Sequence, residues 1–311
     1  MSSLKRRAFL KCSAIALSAA GLPVAGIASV LPAPASAAGD THRVLGCNIR
    51  VALPEDDQAG QGWAARKKSC LTVIKNQKPD LIGFQEVLKV QADDLKQAMP
   101  DYGCFGFEGP EMDINPDTYN GIAKNLVMYS KKRYEFISAG CYWLSETPEM
   151  AGSLSWNTAR ARHVNWLRLA DKRTGIHFRI MAVHLDHKDQ GARNKQGELV
   201  VKESNQYSQD FPQLLIGDFN VTALNPVYKI ITDGGWSDSH TTVHGPGEPG
   251  PTYHNFLGKE YKIPAGKSVG KIDFIFTRGR FKAVKAEIVK DMADGRYPSD
   301  HFFVRADVVL T

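Results

Sequence analysis

Short apolar stretches of this sequence repeatedly end in groups that can hold a cation or move a proton. Val44–Cys47 runs into Asn48, and Leu81–Phe84 into Gln85-Glu86. Phe178–Val183 runs into His184, with Asp186 two residues on, and Leu214–Gly217 into Asp218-Phe219-Asn220. Asp273 lies near the start of Ile272–Phe276, and Ser299-Asp300-His301 immediately precedes Phe302–Val304. Taken singly, each has an ordinary reading. Asp and Asn close turns on their own backbone, and a carboxylate inside an apolar run demands a buried partner. Taken together, carboxylates, amides and two histidines at matching ends of apolar runs describe one site. Oxygen donors without a dense Cys or His cluster suit Mg²⁺, with Mn²⁺ or Ca²⁺ as alternatives, better than zinc. Histidine beside carboxylate supplies proton transfer near neutral pH. A hard divalent cation with such a base fits hydrolysis of a phosphate ester. The Gly-x-Ser-x-Gly nucleophile motif, the P-loop and a dinucleotide-binding glycine pattern are all absent.

The elements that must carry these groups are legible as patterns. The apolar stretches, Leu126–Tyr129 among them, are of strand length, rich in β-branched or aromatic residues, and bounded by Gly, Pro, Asn or Asp. Trp63–Gln77 sets Cys70, Leu71 and Ile74 on one helical face, and weaker helical patterns cover Val87–Met99, Gln190–Gln209 and Pro226–Asp233. Pro54–Gly62, Gly109–Gly121, Ser145–Arg160 and Thr242–Gly270 read as loops. No internal repeat and no linker divides the chain beyond its first forty residues, so one α/β domain of two packed sheets with helices outside is expected. Strand ends adjoin loops, where a rigid scaffold can present polar groups to solvent.

A composition of 43% apolar and 23% charged residues excludes collagen-like, coiled-coil and wholly disordered chains. The net charge of +6 suggests nucleic acid until its location is considered. Lys5, Arg6, Arg7 and Lys11 precede an uncharged stretch from Cys12 to Leu31, and Ala35-Ser36-Ala37 supplies an A-x-A cleavage pattern. Arg6-Arg7 followed by Phe9-Leu10-Lys11 resembles a twin-arginine (Tat) signal, and the mild Ala-, Ser- and Gly-rich stretch around Pro23 fits that better than a membrane anchor. Residues 1–37 are therefore expected to be a signal read by the Tat export machinery. Residues 38–311 are expected to be the mature periplasmic or secreted domain, with no stable membrane span. Losing those four cations and no acid lowers +6 to +2. Cys47, Cys70, Cys104 and Cys141 remain. Two disulfides, in any of three pairings, are open to an exported chain, although Cys47 and Cys70 sit in apolar runs as buried thiols do.

In order along the chain, Asn48, Gln85-Glu86, His184-x-Asp186, Gly217-Asp218-Phe219-Asn220, Ile272-Asp273 and Ser299-Asp300-His301 resemble the motifs of the endonuclease/exonuclease/phosphatase (deoxyribonuclease-I-like) superfamily. The resemblance covers residues 43–309, and Trp143–Pro148 with His184–His187 look most like its secreted bacterial branch. It implies a four-layered α/β sandwich, two mixed β-sheets face to face with helices outside. It implies Glu86 as the principal metal ligand, supported by Asn48 and Asp300. His301 becomes the base or water activator, held in its tautomer by Asp273. Asp218 and Asn220 orient the water and a phosphate oxygen, and His184 binds the scissile phosphate. Arg162 matches a phosphate-contacting arginine loosely, and Asp186 is grouped with it as substrate-binding. Asn125, closing Tyr119–Asn125, is the best match for a leaving-group position where many relatives carry an acid or tyrosine.

The activity so implied is that of a metal-dependent phosphoesterase working by in-line attack of an activated water on a phosphodiester or phosphomonoester. Nucleic acid, phospholipid headgroup, and sugar or inositol phosphate all remain open as substrates, because loops set the substrate on a shared fold. A mature charge of +2 argues against a long basic groove, and no exposed aromatic hairpin for a membrane stands out. A monomer is expected. The competing reading is a non-catalytic periplasmic binding protein that keeps the fold, and the intact set of acids and histidines argues against it. Replacing Arg6-Arg7 by Lys-Lys is expected to abolish Tat-dependent export in cell fractionation. Continued Tat-dependent export of that variant contradicts the twin-arginine assignment.

Overall fold

The computed structural model describes residues 41–109, 111, 124–264 and 270–311. The signal assigned to residues 1–37 and the Tyr119–Ala123 part of the leaving-group match lie outside the described residues. In chain order the elements are β1 (His42–Asn48), α1 (Pro54–Gln58), α2 (Trp63–Gln77), β2 (Leu81–Gln85), α3 (Lys89–Ala98), β3 (Tyr102–Phe105), β4 (Val127–Ser130), β5 (Tyr134–Trp143) and β6 (His163–Asp171). They continue with β7 (His177–His184), α4 (Gln190–Ser204), β8 (Gln213–Asp218), α5 (Pro226–Asp233), β9 (Ser237–Asp238), α6 (Ser239–His244), β10 (Asp273–Arg278), β11 (Phe281–Val289) and β12 (Phe303–Leu310). Every apolar run singled out above is a strand, and α2 and α5 have the bounds their patterns set. The strands without such a run are mainly half-exposed edges. β5 and β11 show mixed burial along their length, so neither presents a continuous apolar segment. The short α1 lies within a stretch expected to be loop; Pro54 at its first position and acids in its first turn favour it.

The strands form two six-stranded sheets, ordered β11-β12-β1-β2-β4-β3 and β5-β6-β7-β8-β10-β9. β1 and β2 are parallel, as are β7 and β8, and antiparallel neighbours flank each pair, so both sheets are mixed. A parallel pair needs a crossover; α2 lies in the first connection and α4 in the second. Alternation along the strands separates the layers. Val44, Leu81 and Val127 of the first sheet meet Leu167, Ile180 and Ile216 of the second. Leu45, Cys47 and Phe84 face outward onto Trp63, Cys70 and Ile74 of α2. Val183 and Leu215 face outward onto Val200 of α4 and Val227 of α5. The expected four-layered α/β sandwich is the fold observed. The four cysteines of the described residues are free thiols, Cys47 and Cys70 buried among these apolar side chains. Among the described residues no helix is long and apolar enough to cross a membrane.

One detail of the inter-sheet packing sets the geometry of the site. Gly46 and Gly83 are paired across β1 and β2. A Cβ on Gly46 would stand 2.9 Å from Ile216 Cγ2, and one on Gly83 would stand 2.8 Å from Ile216 Cβ. Ile216 of β8 therefore seats in a notch that only two glycines leave open. Asn48, Glu86 and Asp218 follow within three residues of these contacts, so the notch brings the polar ends of the two sheets together.

The opposite end of β1 is held differently. His42 is buried among Tyr134, Phe178 and Phe281, its Nδ1 2.8 Å from the Tyr134 hydroxyl. Burial first, then the nearby Arg133, lowers its pKa from 6.5 to about 3. His163 is likewise held down at about 3 and His254 at about 4, burial being the leading cause in both. These rings are neutral in the fold, while in the unfolded chain they protonate near pH 6.5. Between those values the unfolded chain binds more protons, so stability is present above about pH 6.5 and is lost as pH falls toward 3. Urea unfolding is expected to show that loss, with a shallower acid slope in His42→Gln; a pH-independent midpoint from 7 to 4 contradicts it. Gly83→Ala is expected to destabilise by ~1–3 kcal/mol and to lower turnover, because the added methyl drives Ile216 away from β2. Unchanged stability and rate would remove the notch from the account.

Candidate functional site

The site forms where strands of both sheets end. Asn48, last in β1, donates from Nδ2 to Glu86 Oε1 at 3.1 Å and to Asp218 Oδ2 at 3.0 Å, and its Oδ1 accepts from the Arg50 amide. One amide thus ties an acid of its own sheet to an acid of the other. Glu86 leaves β2 with φ 61°, a left-handed conformation that is strained for a residue of its size. Its Oε2 accepts the Val51 amide at 3.1 Å, so the strained backbone and this bond together aim the carboxylate inward. On the second sheet, parallel pairing sets His184 beside Asp218, and antiparallel pairing sets Asp273 on the other side of Asp218. Asp218 Oδ2 then lies 3.4 Å from His184 Nε2 and 3.9 Å from His301 Nε2. His301 Nδ1 is 2.9 Å from Asp273 Oδ2, the partner that a buried aspartate required. Asn220, also left-handed at φ 53°, donates from Nδ2 to His184 Nε2 and to the Leu185 carbonyl, while its amide bonds Asp218 Oδ1.

Electrostatics follow from this crowding. Burial, then Asp273, pushes Asp218 up to about 7. Asp300 is raised, burial again the largest cause, with Glu86 adding to it. Burial would raise Glu86 too, but His301, the Val51 amide and Arg50 outweigh it and hold the carboxyl low. Burial would lower His301, and the charge and hydrogen bond of Asp273 raise it instead, to about 10. His184 is pushed well down by burial and then by Arg162. It is therefore neutral, and its Nε2 accepts from Asn220.

Two arginines absent from the sequence-derived set organise the first sheet's half of the site. Arg50 lines the cleft, bonded by two guanidinium nitrogens to Asp56 and 3.5 Å from Asp300 Oδ2. Arg66 of α2 is fully buried and donates to the carbonyls of Ile49, Arg50, Gln61 and Pro298. It pins the segment after β1 to the one that delivers Asp300 and His301. Its signal was available: Arg66 precedes Cys70 by four, on the face that α2 buries. Glu86, Asp218, Asp300, His184 and His301 line a cleft of about 690 Å³. Arg50, Arg160, Arg162 and His187 also line it, and so does a less polar group that includes Tyr253, Tyr261 and Ile263.

Asn48, Glu86, His184, Asp218, Asn220, Asp273, Asp300 and His301 are thus brought together, and Arg162 lines the same cleft with its Nη2 3.3 Å from His187 Nδ1. Two residues assigned to substrate sit elsewhere. Asp186 is wholly buried, and its carboxylate accepts from Thr158 Oγ1 and the amides of Ala159, Lys188 and Asp189. Those bonds saturate it, so it holds the loop leading to Arg160 and Arg162 and does not face a ligand. Asn125 donates to the His163 carbonyl at 2.8 Å while Asn165 donates back to the Asn125 carbonyl, a reciprocal clasp between the sheets. It does not line the cleft.

Donor atoms of Glu86, His184 and Asp218 lie within 4.8 Å of one another, as do those of Asp218, Asp273 and His301. Asp273 Oδ1 is buried without a hydrogen-bond partner. Buried, mutually repelling carboxylates with spare oxygen lone pairs suit a hard divalent cation, which would relieve the repulsion. The residues fit such an ion.

A model of the endonuclease/exonuclease/phosphatase family matches residues 45–301. Nocturnin of Drosophila melanogaster is 24% identical over 93% of this chain and 49% of its own length, so the chain spans about half of that curated relative. Among solved structures, an endonuclease/exonuclease/phosphatase protein of Bacteroides vulgatus is similar with a TM-score of 0.75 at 29% identity, covering 87% of this chain and 99% of that one. The mannosyl-6-phosphatase of Bacteroides thetaiotaomicron is similar with a TM-score of 0.77 at 25% identity, covering 86% and 100%.

Glu86→Gln keeps the size and the Asn48 contact but removes the charge. It is expected to weaken Mg²⁺ or Mn²⁺ binding at least about tenfold by titration calorimetry, with the fold retained. Unchanged affinity contradicts a cation held at Glu86.

Proposed function

From the premise that this chain belongs to the endonuclease/exonuclease/phosphatase family, we propose that it is an exported, metal-dependent phosphomonoesterase for a small phosphorylated carbohydrate. The observation that carries the chemistry is the convergence on Asp218 Oδ2 of Asn48 at 3.0 Å, His184 at 3.4 Å and His301 at 3.9 Å. Glu86, supported by Asn48 and Asp300, would hold a divalent cation, which would supply charge neutralisation for the phosphoryl oxygens. The protein's own groups do the rest. Asp218 takes the proton of the attacking water while His301, held protonated by Asp273, faces it from Nε2, and the two titrate as one unit because they interact so closely. Asp273 bonds His301 Nδ1 and so turns Nε2 toward Asp218. The water oxygen bonds phosphorus as the ester bond breaks on the opposite side. His184 and Arg162, at the cleft wall, meet the phosphate oxygens.

The substrate reading rests on the cleft and on one relative. A space of about 690 Å³, basic on Arg160 and Arg162 and less polar around Tyr253 and Tyr261, suits one phosphate and one ring better than a polymer backbone. The similar Bacteroides thetaiotaomicron protein is a mannosyl-6-phosphatase. Export rests on the Arg6-Arg7 signal and the Ala35-Ser36-Ala37 cleavage pattern, and Mg²⁺ on the oxygen-rich donor set.

The test is a substrate panel with Mg²⁺: mannose 6-phosphate, glucose 6-phosphate, inositol phosphates, sphingomyelin, RNA and double-stranded DNA. Sugar phosphates are expected to give kcat/KM at least about tenfold above the others, with EDTA abolishing turnover. His301→Ala is expected to lower it by about 10²–10⁴-fold. Faster cleavage of DNA or lipid overturns the substrate, and inertness toward the whole panel overturns the reaction class.

A further inference from the structure

Thr252 lies in the long connection between α6 and β10, away from any strand, yet it is wholly buried. Its Oγ1 accepts two backbone amides, those of Ile272 at 3.0 Å and Asp273 at 3.2 Å. Its carbonyl accepts the Phe302 amide at 2.8 Å. The next residue, Tyr253, makes an isolated antiparallel bridge to His301 and meets its ring edge-on at 5.2 Å. The amides of His254 and Asn255 then both donate to the Asp300 carbonyl, at 2.8 and 3.1 Å. Thr252, His254 and Asn255 thus grip Asp300 and Phe302 through three backbone bonds, with Tyr253 between them packed on the His301 ring, while one hydroxyl grips Ile272–Asp273.

The two gripped segments belong to different sheets. Asp273 opens β10 of the second sheet, and His301 lies just ahead of β12 of the first. No strand ladder fixes the distance between them, so something else must hold Asp273 Oδ2 and His301 Nδ1 at 2.9 Å. We infer that Thr252 is a positioning residue whose hydroxyl sets the Asp273 carboxylate against the His301 imidazole across the two sheets. Its hydrogen bonds go to backbone atoms, and it acts by fixing the backbone on which each side chain is mounted. Only an acceptor oxygen with two lone pairs can take both amides, and a valine of the same shape leaves them buried and unpaired. The inference rests on the reading that His301, oriented by Asp273, takes part in proton removal.

A purely structural threonine would lower stability without selecting a catalytic parameter, which sets the experiment. Steady-state kinetics on mannose 6-phosphate and p-nitrophenyl phosphate are measured for T252V, T252S, D273N and the T252V/D273N pair, each with a thermal midpoint. T252V is expected to lose about 10–100-fold in kcat with KM within about twofold, as a small misplacement of a reacting group does. T252S, which keeps the oxygen, is expected to stay within about threefold of the parent. In the D273N background, T252V is expected to add less than about twofold, because its effect travels through Asp273. Parental kcat in T252V alongside an impaired D273N overturns the inference, as do losses that multiply in the double variant. Parental kcat in D273N instead overturns the proton-transfer reading on which it rests. If T252V does not fold, T252C, similar in size with a weaker acceptor, carries the same comparison.

Discussion

Ile216 can seat against β1 and β2 only because Gly46 and Gly83 carry no side chain, and the catalytic end of the molecule depends on that close approach. Two packed sheets stand about 10 Å apart, too far for their polar termini to meet through short side chains. The notch narrows the gap where it matters. Two residues beyond it, Asn48 of one sheet touches Asp218 of the other at 3.0 Å. The Asn125–Asn165 clasp makes a second inter-sheet tie along the same end, and Thr252 makes a third. The site is therefore a seam, with Asn48 and Glu86 on one side and His184, Asp218 and Asp273 on the other.

The seam concentrates charge that its own sheets do not neutralise. Glu86, Asp218, Asp273 and Asp300 meet two histidines and Arg50 in a buried setting, and the outcome differs for each group. Asp273 and His301 satisfy each other, which raises the imidazole, while Asp218, buried first and then crowded by Asp273, is raised toward neutrality. Burying unpaired carboxylates is unfavourable unless a cation joins them. The same crowding that opposes folding of the metal-free end would give a divalent ion its affinity there. Arg66 resists that strain from beneath, tying the segments after β1 and before Asp300 to α2.

The layered fold was legible because buried central strands write themselves as continuous apolar runs: β1, β2, β7, β8 and β10 each carry one. Edge strands do not, and β5 and β11, open to solvent on part of their length, left no comparable pattern. The carboxylates and histidines were legible because they end those same runs. Asp186 shows the limit of that rule. It too follows a strand end, but two local bonds from Lys188 and Asp189 and two from Thr158 and Ala159 consume it, the latter spanning 28 and 27 residues and so leaving no local trace. Thr252 was missed for the same reason, its partners Ile272 and Asp273 lying twenty and twenty-one residues on, whereas Arg66 stood on the buried face of α2 and could have been found. Arg50, Arg160 and Arg162 gather local positive charge in this cleft that the net charge of +6 does not reveal.

The central claim is that the two sheets meet to hold one divalent cation and one phosphate at their seam. Anomalous diffraction from a crystal grown with Mn²⁺ and inorganic phosphate tests it most directly. The account requires a manganese peak bonded to Glu86, with phosphate reaching His184 or Arg162 of the other sheet. Manganese bound away from Glu86, or phosphate contacting only one sheet, would contradict it.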